Sequence, residues 1–223
     1  MPDMNGVSRV QGSIMATDRR DTNNLAKESL TERWAQRRLG RIGHERRVTA
    51  IASILFDLTQ DLHDLAASHR RLLRLAAIVH DVGRSVEDRR HPAIGAEMIQ
   101  EDATLPISNQ DRRRLAYLTR YHRGAVPEVG FDGILRDGDS RKAMRRILAV
   151  LRAADTLDNR NLTPPRIIMS LRGRKLDVTC FIEDDCAKSR RAFSKRKKFR
   201  LLEDLLDCKI DIQIKLAEAV EAV

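Results

Sequence analysis

Residues 72–83 read Leu72-Leu73-Arg74-Leu75-Ala76-Ala77-Ile78-Val79-His80-Asp81-Val82-Gly83. Only Arg74 interrupts the apolar run before His80. The run predicts a buried helix over about Arg70 to Asp81, broken by Gly83. A histidine and a carboxylate at its buried end need partners, because an unpaired charge there costs several kcal/mol. A divalent metal would satisfy both side chains at once.

Other helices extend outward from this one. His44, Val48, Ile51, Leu55 and Leu58 repeat at helical spacing, so a helix from about His44 to Leu65 carries His44 on its core stripe. A shorter helix over Glu28 to Leu39 precedes it, and residues 1–27 read as a flexible polar arm. Pro92 opens a helix over Ala93 to Gln100. Ser108 and Asp111 start one that reaches His122, in the manner of a capping box. The helix from Ser140 to Asp158 places Asp155 in line with Met144, Leu148 and Leu151. His63 and His69 read as solvent-facing.

Beyond Pro164-Pro165 the pattern changes. Arg166–Leu171 and Lys175–Ile182 look like two strands turning at Gly173, and Lys209–Lys215 alternates as a third. A basic helix over about Ala187 to Asp207 lies between them. The expected fold is mainly α: a helical bundle over 28–163, with a small antiparallel sheet plus helix over 164–223 packed on it.

The 223 residues carry a net charge of +10, which suits an anionic partner without naming it. The three cysteines, Cys180, Cys186 and Cys208, form no CxxC pair and read as reduced thiols. A polar N-terminus without a signal-peptide core, and the lack of a long apolar stretch, imply a cytoplasmic protein with no membrane partner. The basic run containing Lys188, Arg190, Arg191 and 195–198 spreads over several helix faces. It reads as a solvated helix, with polyanion binding as the alternative.

Four ionisable groups therefore fall on core-facing positions of separate helices: His44, His80, Asp81 and Asp155. A lone histidine on an apolar face is commonly a satisfied core residue, but several such groups must converge to be accommodated. The mixed imidazole and carboxylate set suits Mn, Mg, Fe, Ni or Zn. His91 and His122 fit a second ion, with Asp81 as a bridge. The alternative is that His91 merely starts one helix and His122 ends another.

The order His44, His80-Asp81, Asp155 resembles the H…HD…D signature of the HD-domain metal-dependent phosphohydrolases. His44-Glu45-Arg46-Arg47-Val48, Ala76 to Gly83, Tyr121-His122-Arg123 and Leu151 to Asp158 also resemble the C-terminal helical domain of the exopolyphosphatase/guanosine pentaphosphate phosphatase (Ppx/GppA) family. His91-Pro92-Ala93-Ile94-Gly95 is similar to the third-histidine motif of HD-GYP phosphodiesterases, without their Gly-Tyr-Pro. The resemblance implies a free-standing HD domain lacking the actin-like region to which Ppx/GppA phosphate chemistry is attributed.

The resulting expectation is metal-dependent hydrolysis of a phosphate ester or anhydride, on a nucleotide, alarmone or polyphosphate-like substrate. Asp81 stands at the catalytic centre, and Arg84 and Arg123 are placed to neutralise phosphate. The alternative is a non-catalytic regulatory module that binds polyphosphate, a nucleotide or RNA. Nucleic acid is the less favoured ligand, and a homodimer is compatible with either reading.

Overall fold

The computed structural model describes residues 14–183, 186–194 and 196–217. Nine α-helices and three strands are found among them, in the order α1 (Ile14–Leu39), α2 (Gly43–Leu58), α3 (Gln60–His63), α4 (Ala67–Val79), α5 (His91–Glu101), α6 (Asn109–Tyr121), α7 (Arg141–Thr156), β1 (Arg166–Arg172), β2 (Lys175–Ile182), α8 (Ala187–Phe193), α9 (Arg200–Leu206) and β3 (Lys209–Leu216). None of the described helices is long and apolar enough to cross a membrane.

Helix α4 is the hub, in contact with α1, α2, α6 and α7, and its part from Leu72 to Val79 is apolar and buried but for Arg74. Arg74 ion-pairs with Glu28 of α1 and donates to Ser53 Oγ of α2 at 3.0 Å. Trp34, fully buried, anchors α1 and donates from Nε1 to Asp102 Oδ2 beyond α5 at 3.1 Å. Ser108 and Ser140 cap α6 and α7 as side-chain acceptors from Asp111 N and Ala143 N.

Several expectations need correction. The arm assigned to 1–27 is helical from Ile14, and its first thirteen residues lie outside the described residues. The helix expected to run to Leu65 stops at Leu58 and restarts as the single turn of α3. This puts His63 in the core, not in solvent: it is fully buried, with Nε2 at 2.9 Å from the Phe56 carbonyl and Nδ1 accepting from Leu65 N at 3.0 Å. His69 is half-buried.

The sheet is mixed, not antiparallel. β1 pairs antiparallel with β2 around Gly173, whose φ of +58° is the left-handed turn conformation. β3 pairs parallel with β2, Lys175 opposite Lys209. Parallel neighbours need a crossover, and α8 and α9 supply it. The expected single basic helix over 187–207 is broken by a 3-10 turn at Arg196–Lys198. A straight helix would set Phe193 and Phe199 about 120° apart. With the break, both are buried in the core. Residue 195 lies outside the described residues. Cys180, Cys186 and Cys208 are free, as expected of reduced thiols.

Candidate metal centre

Helix ends bring six expected residues together. His44 comes from the first turn of α2, and His80-Asp81 follow the last residue of α4. His91 opens α5, His122 follows α6, and Asp155 lies in the last turn of α7. None is more than 6 % exposed. Asp81 Oδ1 lies 3.0 Å from His91 Nε2, 3.3 Å from His122 Nε2 and 3.7 Å from His80 Nε2. Asp155 Oδ1 lies 3.4 Å from His44 Nε2 and 3.5 Å from His80 Nε2. Two clusters with metal-ligand spacing result, His44–His80–Asp81 and Asp81–His91–His122, sharing Asp81.

Gly83 makes this convergence possible. A Cβ on Gly83 would lie 2.2 Å from the His91 carbonyl oxygen and 2.6 Å from Gly95 N. The turn after Asp81 is thus pressed against the start of α5, backbone to backbone. The same close approach sets the distance from Asp81 to His91.

The outward nitrogen of each histidine is already committed. Nδ1 of His80, His91 and His122 faces the carbonyl three residues earlier, of Ala77, Asp88 and Thr119, at 2.8, 2.6 and 2.7 Å. His44 Nδ1 faces Asp158 Oδ2 at 2.5 Å. All four partners only accept, so Nδ1 carries the hydrogen, and in the neutral ring Nε2 presents a lone pair. Four Nε2 atoms and two carboxylates then point inward. His44 Nε2, His80 Nε2, Asp81 Oδ1 and Asp155 Oδ1 are buried without a hydrogen-bond partner. His91 Nε2 and His122 Nε2 face each other at 3.2 Å.

The electrostatics agree. Burial opposes charge on Asp81, but His80, His122 and His91 outweigh it and hold this carboxyl far below the usual carboxylate range. Asp155 is likewise held low against burial, by His44 and His80. Burial pushes His122 down to about 4 and lowers His91, so both are neutral at pH 7. His80 is raised to about 9: burial opposes its charge, but Asp81 and Asp155 prevail. The centre therefore draws positive charge to itself.

Around these ligands lies a shell of which the sequence pointed only to Arg84 and Arg123. Asp158, which fixes His44, is itself gripped by Arg47 through Nε at 2.7 Å and Nη2 at 3.1 Å. Asp81 Oδ2 accepts from Arg84 Nε at 2.7 Å and from Arg160 Nε at 2.9 Å. Arg160 ion-pairs with fully buried Glu45, and Arg84 with Asp88. Arg84 thus stands in the wall of the centre, bound to Asp81. Arg123 Nε lies 3.7 Å from Asp155 Oδ2 and makes no hydrogen bond, which leaves it directed at the cleft. Lys198 of the broken basic helix approaches the same oxygen at 3.4 Å. Asp158 follows Asp155 by one helical turn and could have been found by that spacing. Nothing in the local sequence ties Glu45 to Arg160.

Above these residues opens a cleft of 780 Å³, which Arg84, Arg123, Arg152, Arg160 and Lys198 help to line. An electron-rich floor beneath cationic walls can hold cations below and an anion above them.

A family model described as Ppx/GppA phosphatase, domain III, matches residues 28–171. No curated protein matches the chain. The matched span contains all six converging residues and more than half of the sequence, and the chain belongs to the Ppx/GppA phosphatase domain III family.

Proposed function

We propose that this chain is a metal-dependent phosphohydrolase of the HD type, acting on a phosphate ester or anhydride through two divalent ions. One observation carries the proposal: four imidazole Nε2 atoms and two carboxylates converge in the core, and four of the inward-facing atoms are buried without a hydrogen-bond partner. Such a set favours cations at its centre. The donor set fits. His44, His80, Asp81 and Asp155 would hold one ion, and Asp81, His91 and His122 the other. Imidazole-rich ligation favours Mn, Fe, Ni or Zn over Mg.

Bound there, such ions supply Lewis acidity toward a phosphoryl oxygen and lower the pKa of a water at the centre. The chain's own residues do the positioning. Arg123 and Lys198 neutralise the phosphate entering the cleft. Arg84 and Arg160 hold Asp81 Oδ2, which keeps Oδ1 turned toward His91 and His122. Asp158 and the three backbone carbonyls hold each Nδ1 and so aim every Nε2 inward.

Elemental analysis of protein loaded with manganese should give a ratio near two per chain. The loaded protein should hydrolyse bis(p-nitrophenyl) phosphate or p-nitrophenyl phosphate, lose that activity to a chelator and regain it with metal. Turnover undiminished in Asp81→Ala would overturn the proposal.

A further inference from the structure

β3 lies at one margin of the sheet, with β2 on one side and, among the described residues, no strand on the other. The bonds to β2 fix which way its backbone faces. Lys209 N donates to the Arg174 carbonyl and Ala217 N to the Ile182 carbonyl, each at 2.8 Å. Backbone direction alternates along a strand, so odd-numbered residues bond β2 and even-numbered ones face outward. Ile210 N follows the rule: it turns away from β2 and donates to Glu203 Oε1 of α9 at 3.0 Å. After it, Ile212, Ile214 and Leu216 direct their amides and carbonyls outward with no partner among the described residues. The first two side chains are half-buried, and Leu216 is 53 % exposed.

Such an edge is a template for another strand. The opposite margin, β1, carries Arg166 and Arg172 at its ends, and these would oppose each other if β1 paired antiparallel with a copy of itself. β3 has no such conflict. Asp211 and Lys215 lie four residues apart, hence on one face of the strand. Asp211 reaches Lys175 at 3.5 Å, whereas Lys215 has no carboxylate partner among the described residues.

We infer that β3 pairs antiparallel with β3 of a second copy of this chain, about a two-fold axis at Gln213. Two three-stranded sheets then join into one of six strands. Outward-facing residues must oppose outward-facing residues, so the axis passes through a residue and not between two. An axis at Ile212 sets Lys209 against the partner's Lys215, a like-charge pair. An axis at Ile214 leaves Asp211 with no charge opposite. The axis at Gln213 sets Asp211 against the partner's Lys215, and Lys215 against the partner's Asp211. On the other face it sets Ile212 against the partner's Ile214, and these two exchange both backbone hydrogen bonds. Leu216 comes to the level of the partner's Ile210, whose amide keeps Glu203. The pairing is independent of any chemistry at the metal centre.

So short a ladder falls below the roughly 1,200 Å² at which stable interfaces begin. Sedimentation equilibrium of the whole chain should therefore show a monomer–dimer exchange with a dissociation constant of about 10–100 µM. Lys215→Glu puts an acid opposite the partner's Asp211 and should weaken association at least about tenfold. Adding Asp211→Lys should restore most of the loss. Ile214→Pro removes an outward amide that β2 does not use, so the fold can accept it, and association should vanish. If that variant unfolds early in urea, the charge exchange decides alone. Gln213→Cys places a thiol on the axis, where opposed Cα atoms lie about 4.5 Å apart, within reach of a disulfide. Diamide should convert it to a covalent dimer, in a Cys186→Ser background that keeps a capping side chain on α8. Lys215→Cys, away from the axis, should stay monomeric under the same treatment. A chain that remains monomeric to about 1 mM overturns the pairing. So does a dimer that Lys215→Glu leaves equally tight, or cross-linking through Lys215→Cys in preference to Gln213→Cys.

Discussion

Five of the protein's histidines are buried, and they fall into two kinds. His63, the last residue of α3, uses both ring nitrogens within its own neighbourhood: Nε2 donates to the Phe56 carbonyl and Nδ1 accepts from Leu65 N. His44, His80, His91 and His122 each use Nδ1 alone and turn Nε2 toward other acceptors. A doubly satisfied ring holds the fold together. A ring satisfied on one side keeps its other nitrogen available for a ligand. Burial does not distinguish the two kinds, whereas hydrogen-bond accounting does.

The sharpest way to break this comparison is His122→Gln. Turnover on a generic phosphodiester should fall at least about a hundredfold, with manganese falling toward one ion per chain. Unfolding of the metal-free variant should change by less than about 1 kcal/mol, because the lone-pair clash with His91 goes with the ring. If His122→Gln destabilises the metal-free protein as much as a His63 variant does, the distinction fails. Gly83→Ala comes next. Its Cβ would meet the α5 backbone at His91 and Gly95, so the turn must move away from α5, at a cost of about 3 kcal/mol or more. Metal should dissociate from the variant before it unfolds, which a titration with chelator followed by thermal denaturation would show.

His63→Ala should cost about 2–3 kcal/mol in urea unfolding, from an unfilled space and two backbone groups left without partners. Adding manganese should stabilise wild type and His63→Ala alike, by about 2.7 kcal/mol when the metal is a hundredfold above its dissociation constant. Asp158→Asn has a smaller effect. It leaves His44 in place but weakens the acceptor that fixes its tautomer, so metal affinity should fall about tenfold with little change in fold. An unchanged affinity would mean that Arg47 and Asp158 serve only the packing of α2 against the end of α7.

The sequence revealed the ligands better than their supports. His44, His80, Asp81 and Asp155 stand on apolar stripes, where a polar residue is conspicuous, and helical periodicity is a strong local signal. Arg160 and Glu45 escaped because they stand 115 residues apart and each looks like an ordinary surface charge. The parallel β3 escaped for a related reason: alternation marks a strand, but it does not say which neighbour it takes or in which direction. His63 was misread because its burial depends on α2 stopping at Leu58 and the chain turning at Asp64, whose φ of 51° is left-handed. The apolar pattern does not register that turn.

The smallest effect is also the cleanest separation of the two kinds of histidine. Burial lowers the pKa of His63 below 6.5, with Arg146 adding to the shift against the Phe56 carbonyl, Asp64 and Asp57. Below pH 6.5 the unfolded chain therefore binds a proton at this position that the folded chain refuses. Unfolding free energy must then fall as the pH drops through 6.5, and go on falling until the folded pKa is reached. Protonation also removes the lone pair that Leu65 N needs. In His63→Gln this slope should vanish, so the stability gap between wild type and variant narrows from about pH 7.5 to about pH 5.5. The metal-free protein is the one to measure, by urea unfolding at each pH, because the site histidines contribute equally to both chains and cancel in the difference. A gap that stays constant would show that His63 titrates alike in both states, and that its two hydrogen bonds do not fix its protonation.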